Sequence, residues 1–301
     1  IKIQYLKNEV VKIKVLIMLV KLWLNAYIKI IELFLLKRMF TVILSEGVKN
    51  MSQANPISPA PLEALIFDVD GTLADTEMSH LKAFNEAFKS CDLDWHWSVD
   101  EYRELLEVSG GKERIRHFWQ QQNPDVQSLS GGALEDTINR IHELKTAAYE
   151  QRVRDGYVEF RPGMLDLIEE ASQAGLQMAI ATTTSPANIA ALMRKQLGTD
   201  WRLRFRLIED GSTAPHKKPN PQVYLQTLAG LGLPVANCIA FEDSENGLKA
   251  ARASGLKTIV TPNAFTEHQK FVGALCVLPN LAHIHLADIR ALHSGETPHA
   301  V

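Results

Sequence analysis

The chain has 301 residues, 46% of them apolar and 22% charged, and a formal net charge of −3. That profile excludes a disordered, collagen-like or disulfide-framework protein and leaves room for one large domain or two modest ones. Three scattered cysteines (Cys91, Cys238, Cys276) suit neither a disulfide set nor a zinc site and fit a reducing, cytoplasmic-type compartment, while the weak negative charge points away from nucleic acid.

The charge is unevenly spread. Residues 1–50 hold nine Lys/Arg and three Glu, a net of +6, whereas the other 251 hold 23 basic and 32 acidic residues, a net of −9. Lys21, Lys29 and Glu32 interrupt the apolar runs of this segment, so it lacks the ~20 apolar residues of a membrane span. One Arg and one Ser do not make a transit peptide, and no compact secretory signal is visible. Residues with AU-rich codons (Phe, Tyr, Met, Ile, Asn, Lys) supply 25 of the 50, those with GC-rich codons (Gly, Ala, Arg, Pro) three. We therefore expect 1–50 to be a dispensable, non-native leader with Met51 as the true start, and 51–61 to be flexible. A basic helix lying on a membrane surface is the competing reading.

From residue 62 onward, short apolar runs bounded by turn residues read as buried strands at 64–67, 176–181, 205–208, 238–241 and 257–260. Helical patterns at 164–174, 187–197, 221–231 and 245–253 lie between them, the alternation of a doubly wound parallel sheet, an α/β Rossmann-like fold. The alternation breaks between 77 and 155, where only helical patterns appear (81–89, 99–106, 113–121, 134–153), punctuated at Gly110-Gly111 and Gly131-Gly132. We read a core of 62–76 and 156–285, an inserted helical cap over 77–155, and a frayed tail over 286–301. Trp95, Trp97 and Trp119 are expected in the cap core, and His117, His142 and the C-terminal histidines on the surface.

In open α/β sheets, ligands sit beyond the carboxyl ends of the strands. Four polar clusters fall there: Asp68-Val69-Asp70-Gly71-Thr72, Thr182-Thr183-Thr184-Ser185, Lys217-Lys218-Pro219 and Glu242-Asp243-Ser244. One such Asp alone reads as a turn or cap. Four clusters at successive strand ends read as one site. Alternate strand residues face opposite ways, so Asp68 and Asp70 share that site only if the chain turns after Asp68, and Gly71 eases such a turn.

With these clusters the chain resembles the haloacid dehalogenase-like phosphatases over residues 62–281. The resemblance implies a Mg²⁺-dependent phosphomonoester hydrolase. Asp68 would be the nucleophile that becomes an aspartyl-phosphate, and Asp70 the acid and base. Thr182, the Thr183 amide and Lys218 would hold phosphate oxygens. Mg²⁺ would bind the Asp68 and Asp243 carboxylates and the Asp70 carbonyl, with Glu242, Ser244 and Asn246 around it.

The cap sequence resembles the CbbY-type subgroup in LADTE with His80 (73–80), FNEAF (84–88), EYRELL (101–106) and SGGKERI (109–115). The core continues the match in ATTTS (181–185) with Asn188 and in the LEDSLNG-like 241–247. This implies hydrolysis of xylulose 1,5-bisphosphate, an inhibitor of Rubisco, to xylulose 5-phosphate. Asp75, Glu77, His80, Gly110, Gly111, Lys112, Glu113, Thr183, Thr184, Ser185 and Asn188 would bind substrate. Lys112, with Arg114 or Arg116, would meet the second phosphate. Asp75 stands where the subgroup has Glu, and His216 where it often has an acidic residue, which bears on fine substrate preference. The expectation is a cytoplasmic, bacterial-type monomer acting on a small sugar phosphate, without nucleic-acid or membrane partners. A phosphoglucomutase-like mutase on the same residues, or a phosphatase for another sugar phosphate, is the alternative.

Overall fold

In the computed structural model, residues 60–123 and 132–298 are described. The expectations for 1–50, for Met51 as the start and for most of 51–61 lie outside those residues.

Strand β1 (Ala64–Phe67) is buried on both faces. Leu65 and Phe67 enter one apolar cluster, Ala64 and Ile66 another, as a period of two requires. Strands β2 (Gln177–Ala181), β3 (Leu207–Glu209), β4 (Cys238–Glu242), β5 (Lys257–Val260) and β6 (Cys276–Val277) complete a sheet. Among the described residues it has six strands in the order β3-β2-β1-β4-β5-β6, all parallel. β6 is two residues long and has no sequence pattern to read. Phe67 lies opposite both Ile180 and Phe241, so Asp68, Thr182 and Asp243 leave the sheet at one edge.

After β1 the described residues of 77–154 form four helices, α1 (Glu77–Ser90), α2 (Val99–Leu105), α3 (Gly111–Gln122) and α4 (Gly132–Arg154). These form the cap, with a core of its own that includes Phe84, Phe88, Trp97, Tyr102, Ile115 and Ile141. Trp97 is fully buried in this core and Trp95 packs against it, whereas Trp119, expected there too, is half-buried, its ring 5.8 Å from that of Trp95. A capping box of Ser98 and Glu101 starts α2. The two ends of the cap meet, since Ala74 bridges Phe160 and the Asp75 N–H donates to the Glu159 carbonyl at 3.4 Å. Arg161 clamps this junction, donating to the carbonyls of Gly71 (2.7 Å), Thr261, Pro262 (2.8 Å) and Pro279 (3.1 Å).

Helices α5 (Met164–Gln173) and α6 (Pro186–Leu197) cover one face of the sheet, and α7 (Gln222–Leu231) and α8 (Glu245–Ala253) the other. The segment after 286 is a correction. It is not frayed but forms α9 (Leu286–Ser294), which buries Leu286 and Ile289 in the core. Glu170 on α5 docks it, accepting from the Leu286 N–H at 2.6 Å and from His285 Nδ1 at 2.7 Å. His293, expected at the surface, is buried, its Nε2 2.8 Å from the Ala236 carbonyl. No helix among the described residues is long and apolar enough to cross a membrane.

Candidate functional site

A cavity of about 530 Å³ lies between the carboxyl edge of the sheet and the cap. On its floor, Asp68 follows β1 directly and is buried. Lys218, from the loop before α7, donates to Asp68 Oδ1 at 2.6 Å and to Glu242 Oε1 at 2.7 Å. The Tyr224 hydroxyl of α7 donates to the same Glu242 oxygen. Gly71, at φ +80°, turns the chain so that Asp70 also reaches the cavity, and a side chain there would collide with Asp243 and Asn263.

Burial dominates the electrostatics. It pushes the Asp68 carboxyl up despite Lys218, lifts Glu242 to about 7, and with Asp68 and Glu242 nearby raises Asp243 well above the carboxylate range. Burial would lower the Lys218 ammonium, but Asp68 and Glu242 hold it above its usual value. Three buried carboxylates thus face one ammonium, and their oxygens lie within 4.8 Å of one another. Glu242 Oε2 has no hydrogen-bond partner among the described residues. Excess buried negative charge, oxygen donors and an unsatisfied oxygen together fit a hard divalent cation. The cluster includes Glu242, which sequence reasoning placed outside the metal's own ligands, and lacks the Asp70 carboxylate.

Asp70 turns toward the cap, 2.9 Å from His80 Nε2 on α1. Burial alone would raise its carboxyl, but His80, Lys145 and Thr76 hold it well below the usual range. The His80 ring stacks on Tyr149 of α4 at 4.1 Å. Glu77, one turn before His80, accepts from the Tyr102 hydroxyl at 2.8 Å.

One wall of the cavity is the turn after β2. Thr182 Oγ1 accepts from the Thr184 N–H at 3.3 Å, and Asn188 Nδ2 donates to Thr184 Oγ1 at 3.0 Å. Ser185 caps α6, accepting from the Asn188 N–H, and Pro186 opens the helix. This wall is therefore the positive end of a helix, suited to an anion. Ser244 plays the corresponding capping role for α8.

Across the cavity the cap contributes Gly110, Gly111, Lys112, Glu113 and Arg114. Gly110 has φ +98°, and Lys112 donates to Asn139 at 2.7 Å. Three expected residues are not brought together with the rest. The Asp75 side chain is 68% exposed and pairs with Arg161 at 3.5 Å, because the chain has already entered the hinge. Arg116 points to Glu135. Asn246 reaches the cap backbone, donating to the Glu107 carbonyl at 2.9 Å.

His142 is a correction too, since it lines the cavity with Lys145. Burial and the lysines Lys145 and Lys112 press His142 down to about 3, and burial takes Lys145 to about 8. The Lys145 ammonium sits over the rings of Phe84 (5.0 Å) and Tyr149 (5.4 Å). The signal was present in the sequence: His142, Lys145 and Tyr149 follow Ile138 and Ile141 along one helical stripe. Tyr224 and Asn263 carried no such local signal.

Comparison with known proteins adds a second line of support. Residues 62–255 match the model of the haloacid dehalogenase-like hydrolases. The chain is 53% identical over 250 residues to protein CbbY of Cupriavidus necator, covering 78% of this chain and 98% of that one. Two crystal structures of CbbY from Rhodobacter sphaeroides are similar, each covering 75% of this chain and 98% of theirs. The complex with phosphate is 44% identical with a TM-score of 0.69. The complex of a mutant with xylulose-(1,5)bisphosphate is 43% identical with a TM-score of 0.70.

Proposed function

Because the chain belongs to the haloacid dehalogenase-like hydrolases, and as an enzyme of that family is a phosphoric monoester hydrolase, we propose that it hydrolyses xylulose 1,5-bisphosphate to xylulose 5-phosphate with Mg²⁺. The observation that carries this reading is the buried Asp68 carboxylate, 2.6 Å from Lys218, at the floor of a cavity roofed by cap cations.

In this mechanism an Asp68 oxygen attacks phosphorus, the bond to the sugar oxygen breaks, and an aspartyl-phosphate forms. Asp70 gives its proton to the leaving alkoxide and takes one from the water that then releases phosphate. An anionic phosphate beside Asp70 raises its carboxyl, which favours its carrying that proton, while His80 fixes its orientation. Lys218, the Thr182 hydroxyl and the amides at the start of α6 stabilise the charge on the phosphoryl oxygens. Mg²⁺, held by the carboxylates of Asp68 and Asp243 and the carbonyl of Asp70 with Glu242 and Ser244 beside them, would supply charge neutralisation for an anionic nucleophile meeting an anionic substrate. Glu77, His80, Gly110, Gly111, Lys112, Glu113, Thr183, Thr184, Ser185 and Asn188 would bind the sugar and its phosphates. Lys112, Lys145 and Lys217 line the upper cavity beside His142, a surface suited to a second anionic group, while the Arg114 guanidinium donates to the Leu105 and Val108 carbonyls and to the Tyr102 hydroxyl. The similarity to a protein crystallised with xylulose-(1,5)bisphosphate supports the substrate. On this reading the reaction removes a Rubisco inhibitor, as the CbbY-type resemblance implies, and the enzyme acts as a cytoplasmic monomer.

The test is phosphate release with Mg²⁺ from xylulose 1,5-bisphosphate, ribulose 1,5-bisphosphate, xylulose 5-phosphate and β-glucose 1-phosphate. Strong preference for the first is expected. Preference for another sugar phosphate would discard the substrate, and glucose 6-phosphate formed without free phosphate would identify a mutase.

A further inference from the structure

The cap touches the core at a second place, away from its covalent hinge. Phe265, in the loop after β5, belongs by chain to the core, yet its buried ring sits in the apolar cluster of the cap. It meets Tyr102 edge-on at 5.9 Å, and the Arg103 guanidinium lies 5.9 Å from its centre. Farther along the same loop, Gln269 Nε2 donates to Glu107 Oε1 at 3.2 Å. The cap side of this seam is α2 and the turn that follows it.

Two residues before Phe265, Asn263 faces the opposite way. Its Nδ2 donates to Asp243 Oδ2 at 2.8 Å, and its Oδ1 accepts the Phe265 N–H at 2.8 Å. The turn is closed by the Asn263 N–H to Thr266 Oγ1 at 3.0 Å and by the Thr266 N–H to the Asn263 carbonyl at 2.9 Å. One amide side chain thus bonds at one end a carboxylate of the acidic cluster and at the other the backbone of the residue planted in the cap. There is no slack on the Asp243 side, where a single added carbon at Gly71 would strike both Asp243 and Asn263.

We propose that Asn263 and Phe265 are positioning residues that couple the Asp243 carboxylate to the seating of the cap. When Asp243 is committed to a cation, Asn263 is held in one orientation, and its Oδ1 holds the Phe265 backbone where the ring fills the cap cluster. When Asp243 is free to turn, Asn263 and Phe265 lose that reference and the seam loosens. Linkage makes the effect reciprocal: a seated cap strengthens cation binding by the factor by which the cation favours seating. The inference rests on the metal reading above and adds the route from the metal site to the cap.

The experiment uses the full chain, with calorimetric titration of MgCl₂ and hydrogen exchange over residues 99–109 with and without Mg²⁺. In the unmodified protein Mg²⁺ is expected to slow exchange over 99–109. In Phe265→Ala that slowing is lost and Mg²⁺ binds on the order of fivefold or more weakly, although Phe265 is not one of the acidic cluster. Asn263→Ala is expected to bind Mg²⁺ and lose the protection, while Phe265→Leu keeps an apolar anchor and retains most of both effects. Mg²⁺ binding without any change over 99–109 in the unmodified protein would overturn the coupling and leave the proposed reaction standing. So would unaltered Mg²⁺ affinity and protection in a folded Phe265→Ala. No Mg²⁺ binding at all would overturn the metal reading and the coupling with it.

Discussion

At the scale of single residues, the floor of the cavity separates two carboxylates by what they touch. Asp68 is held by an ammonium at 2.6 Å and Asp70 by an imidazole at 2.9 Å, so the first is fixed against the cluster and the second is aimed at the cap. Asp68→Asn removes the proposed nucleophile while keeping shape, and turnover should fall to background with an unchanged circular dichroism spectrum. Asp70→Asn should lower kcat by roughly 10²–10⁴-fold, the range for losing a general acid and base. Residual activity of Asp68→Asn comparable with that of the unmodified enzyme would remove Asp68 from its role. Lys112 gives a different kind of prediction. It lines the cavity and its ammonium donates to Asn139, so Lys112→Ala should raise KM for a bisphosphate more than for a monophosphate. Equal increases for both would mean that the second anionic group is met elsewhere.

At the scale of elements, α9 shows what periodicity misses. Nine residues with Leu286 and Ile289 buried do not make an apolar stripe long enough to recognise, so the docking depends on partners distant in sequence. Ile289→Ala should cost about 2–5 kcal/mol in stability, read from denaturant unfolding. The clasp between α5 and α9 also predicts a pH dependence. His285, exposed, is raised above 6.5 by its hydrogen bond and charge pairing with Glu170. Its contribution is complete below 6.5 and lost as pH rises through the raised value. In Glu170, burial would raise the carboxyl, but the Leu286 N–H and His285 draw it below 4.5. Its contribution is present above 4.5 and lost as pH falls through the lowered value. The clasp is therefore strongest between 4.5 and 6.5, and His285→Ala should lower Tm more at pH 5.5 than at pH 9. A difference independent of pH would leave only the packing of α9.

At the scale of the whole molecule, the catalytic order of the sheet could be read because each of its groups is anchored locally, at the end of a strand whose apolar run announces it. Asp68, Thr182 and Asp243 share an edge through register alone. Groups that arrive from other elements could not be read in that way. Tyr224 reaches Glu242 from the buried face of a helix, and Asn263 reaches Asp243 from a loop with no pattern. Asp75 failed for the converse reason, since adjacency in sequence placed it near the site while the hinge carried its side chain out to Arg161. Residues 51–301 contain every group assigned a role here, so a chain beginning at Met51 should keep the kcat of the full chain in the phosphate-release assay. A large loss would give residues 1–50 a part in the function.

The meeting of Ala74 with Phe160 has a consequence for how such an enzyme changes over time. A segment whose two ends lie side by side is a cassette. Its length can grow or shrink at a closure cost that rises only with the logarithm of the number of residues, and the strands on either side keep their register. The apparatus that breaks the phosphate ester and the surface that chooses the sugar can therefore diverge at different rates. Exchanging residues 77–155 between relatives should carry a substrate preference from one chain to another, provided that the incoming segment keeps a partner for Asp70 where His80 stands.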